Sequence, residues 1–155
     1  MKNIEHMTLE QLEKDVWPEP AFQSNLTMTC YELRKKELSK FTVEDLRIML
    51  GQSIGAKYLL PMAIRILKEN PFADGDFYEG DLLEAISRQP KDTHFLTSLE
   101  KEVLADACEV VLASNILPGD VGLSVEELLR YLRGVNLRFN CAAKAAVDPR
   151  NGNGS

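Results

Sequence analysis

At 155 residues the chain has one domain's worth of sequence, and with 45% apolar residues it can bury a real core, so it is not a disordered chain. Its net charge of −6 and pI near 5.0 argue against nucleic acid or an anionic membrane surface as a direct partner. Cys30, Cys108 and Cys141 are odd in number and far apart, with no C-x-x-C pair, which points to a reducing compartment. Cys30 and Cys108 fall among apolar neighbours and read as core thiols.

The opening residues, Met1 to His6, carry no apolar h-region. No apolar run approaches the roughly 20 residues needed to span a bilayer. A cytoplasmic protein without membrane contact is expected.

Helix signals dominate from there on. Thr8-Leu9-Glu10-Gln11 has the form of a capping box. Leu9, Leu12 and Val16 follow it at helical spacing, and Trp17-Pro18-Glu19-Pro20 stops the segment. Phe22, Leu26, Cys30 and Leu33 then lie on one face, which predicts a second helix over about 21–35. Its closing basic run, Arg34-Lys35-Lys36, complements the helix dipole.

Thr42-Val43-Glu44-Asp45 opens a third helix that carries Leu46, Met49 and Leu50 inward, with Gly51 or Gly55 as a left-handed C-cap. A fourth helix spans about 57–69, where Pro61 limits how early it can begin. From Tyr58 to Leu67 it is apolar on every side apart from Arg65, so it should be the buried central element.

Asp81 can cap a fifth helix that runs to about Arg88 and is closed by Pro90. A long sixth covers about 93–114, with an inner stripe of Phe95, Leu96, Leu99, Val103, Ala107 and Val110. Pro118-Gly119-Asp120 reads as a turn, and Ser124-Val125-Glu126-Glu127 as the cap of a last helix through about Leu132. From Asn140 the chain turns small, polar and Gly-rich. The expected fold is all-α: a single compact domain, residues 1–140, of six or seven helices around a buried central helix, followed by a disordered polar tail over 141–155.

Between the fourth and fifth helices lies the most informative stretch. From Glu69 to Glu84 there are six carboxylates and no Lys or Arg, with Phe77 and Tyr78 in the middle. Pro71, Gly75 and Gly80 mark turns that can hold the side chains on a rigid frame. Asp74, Asp76, Phe77, Tyr78, Glu79, Asp81 and Glu84 are therefore the candidate partner-binding residues. An acidic and aromatic surface suits a basic partner, because uncompensated acids raise the local potential and a tyrosine is an interface anchor.

The same segment fails as a metal site. If Asp74 and Asp76 were positions one and three of a calcium loop, position six would be Glu79 instead of Gly, and position twelve Ala85 instead of Glu. Signals for catalysis are equally poor. His6 and His94 are the two histidines, and H-E-x-x-H, paired Cys/His spacing and G-x-S-x-G are all missing. Gly51-Gln52-Ser53-Ile54-Gly55 lacks the Lys-Ser/Thr of a phosphate loop. No evident cleft is expected in a helical domain of this size. Neither catalytic residues nor a cofactor are assigned.

Three blocks carry a family resemblance. They are Thr8 to Pro20 (TLEQLEKDVWPEP), Phe41 to Ile64 (FTVEDLRIMLGQSIGAKYLLPMAI) and Asn70 to Leu83 (NPFADGDFYEGDLL), and together they span Thr8 to about Ser87. They resemble immunity proteins of bacterial contact-dependent growth inhibition (CDI). The resemblance implies a small cytoplasmic antidote that binds the toxic C-terminal domain of a delivered effector. It further implies that the toxin is often a nuclease whose active site or substrate groove is covered. A second class of function remains open on the residues alone: a helical adaptor or regulatory subunit for another basic protein. The residues beyond Gln89 match no part of the family pattern.

Overall fold

Thr8, Ser24, Thr42 and Thr97 each start a helix in the same way. The side-chain oxygen accepts the N–H three residues on, and the side chain of that residue returns to the cap's own N–H. The computed structural model describes residues 3–88 and 93–134. In it the chain forms α1 (Leu9–Glu13), α2 (Asn25–Leu33), α3 (Val43–Gly51), α4 (Ala56–Glu69), α5 (Asp81–Ser87), α6 (Ser98–Ser114) and α7 (Gly119–Leu132). Short 3-10 turns occupy Ile4–His6 and Leu38–Lys40. Among the described residues there is no strand, and the all-α expectation holds. The expected tail over 141–155, Cys141 and Pro90 lie outside the described residues.

Several boundaries differ from the expected ones, each for a local reason. Lys14 adopts a left-handed conformation (φ 54°) and ends α1, so Val16 is 70% exposed instead of extending the stripe. Ser24 pairs with Thr27 and starts α2 later than predicted, leaving Phe22 79% exposed. Thr97 pairs with Glu100 and starts α6 late as well. The buried face of α6 is accordingly Leu104, Ala107, Cys108 and Val111, while Leu99 and Val110 face outward. Pro118 is the cap of α7 rather than part of a turn, and its carbonyl accepts the Gly122 N–H at 2.8 Å. Ser124 sits inside that helix with its hydroxyl on the Asp120 carbonyl.

The α3–α4 connection is a Schellman turn. The Ser53 N–H bonds to the Leu50 carbonyl and the Ile54 N–H to that of Met49. Ser53 (φ 60°) takes the left-handed position there, and Gly55 (φ 68°) is the N-cap of α4. Gly55 also has no room for a side chain, since a Cβ would stand 2.8 Å from a Leu9 methyl.

Packing follows from which faces are apolar. Buried α4 residues Leu59, Leu60, Ala63, Ile64 and Leu67 form one face of a helix that packs on α3 and α6, whereas Lys57, Arg65, Lys68 and Glu69 are exposed, so α4 is central but not buried on every side as expected. Helix α5 is enclosed still more completely, between α3 and α7, with Glu84 its least buried member. Cys30 and Cys108 are core thiols, and burial pushes the Cys108 pKa up to about 12.

The basic run after α2 corrects its simple reading. Lys35 is exposed and Lys36 is half-buried with its ammonium 2.6 Å from Asp45, but Arg34 is only 1% exposed. Its Nη1 donates to Glu13 at 2.7 Å, Nη2 donates to the Asp15 carbonyl, and the guanidinium stacks 4.2 Å from the Trp17 ring. Arg34 thus ties the loop after α1 onto the core, work that a dipole-complementing surface residue would not do.

Candidate partner-binding surface

The acidic loop is held by its backbone amides. Asn70, the C-cap of α4, accepts the Phe72 N–H through Oδ1 at 3.0 Å and the Ala73 N–H through its carbonyl. Asp81, the first residue of α5, accepts the Gly75 N–H on Oδ1 at 2.6 Å. Its Oδ2 accepts from Phe77 at 3.1 Å and from Tyr78 at 3.4 Å. Glu44 reaches across from α3 and accepts the Asp76 N–H at 2.9 Å. The Gly80 N–H closes the loop on the Phe72 carbonyl at 3.1 Å.

Arg47 completes the brace from below. Its guanidinium donates to both Glu44 oxygens, lies 3.8 Å from Asp81 and stacks 4.2 Å from the Phe77 ring. The approach of the loop to α3 is close enough to require glycine at 75, where a Cβ would be 2.1 Å from Glu44 Oε2 and 3.2 Å from the Glu44 Cα. Gly80 (φ 90°) makes the sharp change of direction into α5.

These contacts separate the candidate residues into two groups. Asp74, Asp76, Phe77 (70% exposed), Tyr78 and Glu79 are brought together on the outer side of the loop. Asp81 is 1% exposed, so its part is to build the frame, and Gly80 takes the cap position expected of it. Glu84 is paired with Arg88 and only partly exposed. The segment is therefore less unbalanced than its sequence suggests, because Arg47 and Arg88 supply cations from outside it. Asp74, Asp76 and Glu79 have no ion pair within 4 Å among the described residues.

Two pKa shifts describe the brace. The Arg47 guanidinium holds the Glu44 carboxyl below the usual carboxylate range, helped by the Asp76 N–H and opposed by burial. Burial, and then the Glu84 carboxylate, push the Tyr78 hydroxyl up, opposed by Arg88, so Tyr78 stays a neutral donor at neutral pH. The Glu44 shift sets a pH window. A depressed carboxylate contributes stability that is fully present above its unfolded value, about 4.3, and lost as pH falls through the lower folded value. Wild type should exceed Glu44→Gln in urea stability at pH 7, with the gap closing as pH drops below about 4. A gap that stayed constant down to pH 2.5 would contradict the brace.

A groove of about 640 Å³ adjoins the loop, where no cleft was expected. Leu38, Phe41, Leu46, Met62 and Ile66 line it, and Ala73 and Asp74 join it to the acidic loop. Sequence reasoning missed this groove along with Glu44 and Arg47. Both braces lie in the FTVEDLR string, whose only local signal is a helix start.

The described residues offer little for chemistry. No group of three or more His, Cys, Asp or Glu is placed to hold a metal ion. His6 and His94 are both exposed, and His94 stands in the turn before α6 rather than in its first turn. A Cys108 thiol protonated up to about 12 is not a nucleophile at neutral pH. No described helix is long and apolar enough to cross a membrane.

The sequence model of a family described as CDI immunity proteins matches residues 11–105, and the chain belongs to that family. The match runs from within α1 to the first half of α6, so family likeness continues past the expected limit near Ser87 and leaves residues 1–10 and 106–155 outside it. No curated protein and no solved structure matches the chain.

Proposed function

We propose that this protein is a cytoplasmic antidote that binds the toxic C-terminal domain of a CDI effector, that the toxin is a nuclease, and that the Asp74–Glu79 loop covers its active site or substrate groove. Family membership supports the toxin as the class of partner. The observation that carries the site is the set of unpaired, exposed carboxylates at Asp74, Asp76 and Glu79 around an exposed Phe77, on a loop whose Gly75, Asp76, Phe77 and Tyr78 amides are already bonded.

A nuclease groove presents the cations that hold phosphates, and an acidic loop occupies it in their place. Charge of this kind accelerates encounter, while a desolvated aromatic slows release. Phe77 is suited to the second task, because Arg47 stacked against it restrains the ring before binding and lowers the entropy lost on docking.

The test uses the purified toxic C-terminal domain of a CDI effector from the same host. The protein should inhibit its nucleic-acid cleavage stoichiometrically, and association should slow as salt is raised from 50 to about 500 mM, because steering is screened. Cleavage unaffected by a molar excess would refute the reading. Since binding is the whole activity, replacing both His6 and His94 by Ala should leave inhibition unchanged; loss of inhibition with unaltered toxin affinity would point to catalysis instead.

A further inference from the structure

We propose that the groove between the Leu38–Lys40 turn, α3 and α4 is a second docking site on the same toxin domain, and that it receives an apolar segment flanked by Lys or Arg. This rests on the reading of the protein as a toxin-binding antidote. The groove is about 640 Å³ and open to solvent, a depression with room for more than one side chain and not an enclosing pocket.

The floor sets the first half of the occupant's chemistry. Phe41, Met62 and Ile66 are only partly buried there and complete their burial when an apolar group covers them. Met62 is the adaptable member, an unbranched side chain that repacks around irregular shapes. The rim sets the second half. Glu5, Glu69 and Asp74 supply carboxylates, and the Arg65 guanidinium stands 3.9 Å from Glu5. Glu69 and Asp74 have no ion pair within 4 Å among the described residues, so the rim favours cationic flanks.

Continuity decides which partner fills it. Ala73 and Asp74 belong to both the groove wall and the acidic loop, so a domain seated on Asp76 to Glu79 borders the groove without crossing other surface. The two areas divide the kinetics. The loop governs salt-dependent association, and the groove governs dissociation with little dependence on salt.

Ser39→Trp and Met62→Gln test this division. Ser39 is exposed at the groove, where an indole would fill the space, and Met62→Gln places an amide on the floor. The probe is the inactivated C-terminal domain of the effector used above, followed by surface kinetics at two salt concentrations, with circular dichroism and melting to confirm the fold. Each folded variant should dissociate roughly tenfold or more faster, with association rate and salt dependence near wild type. Wild-type dissociation in both variants would overturn the groove site while leaving the antidote reading intact. A wild-type protein that failed to bind the probe would overturn both. Should either variant misfold, hydrogen exchange of wild type over residues 62–74 decides: added protection in the complex is expected, and unchanged exchange there contradicts the proposal.

Discussion

Reversing Asp76 and Glu79 to Lys should weaken toxin binding by roughly 2 to 5 kcal/mol, the range for charges that meet desolvated cations. Neither carboxylate is paired within 4 Å among the described residues, so the reversal removes no internal ion pair. The bond from Asp76 to Glu44 uses the backbone N–H and survives the substitution. The reversal does remove the longer-range attraction of Asp76 for Arg47, so the fold should remain at a small cost in stability and the main loss should appear in binding. Association should slow and its salt dependence should flatten or reverse. Tyr78→Ala, read alongside, should act on dissociation if the ring is a hot spot. If the charge reversal binds at wild-type rates, the acidic loop is not the interface.

Asp81→Asn should have the larger effect on stability, a loss of about 2 to 4 kcal/mol. The carboxylate is 1% exposed and accepts three loop N–H groups across its two oxygens. An amide keeps one acceptor and turns an NH₂ toward the remaining N–H groups or toward Arg47, so buried donors are left facing donors. The expected readout is a lower urea midpoint with an unchanged slope, accompanied by weaker toxin binding because the loop loses its frame. An unchanged midpoint would show that the loop holds its shape without Asp81. The pair of experiments separates the residues that face a partner from those that support them.

Local signals were legible in the sequence where they are complete within a few residues. Thr8 with Gln11 and Thr42 with Asp45 both mark helix starts, and the structure has boxes at both. Ser24 was harder, because its partner is Thr27 rather than Glu or Gln. Thr97 with Glu100 fits the rule, but Phe95 and Leu96 drew the periodic pattern back beyond it and turned the inferred face of α6 away from Leu104 and Val111. The acidic loop was recognisable from composition and turn residues. Its supports were not, because Glu44 and Asp76 are 32 residues apart and nothing near either announces the other. The same holds for Arg34, which looks like its lysine neighbours in sequence and is set apart by contacts with Glu13 and Trp17. The groove depends on how a turn, two helices and a loop meet, which no single segment records.

The most direct measurement is the structure of the protein bound to the inactivated toxin domain. The account predicts that Asp76, Phe77 and Glu79 lie buried against lysine or arginine side chains of the toxin, across the path its substrate would take. An interface formed on α6 and α7, with the Asp74–Glu79 loop open to solvent, would contradict it.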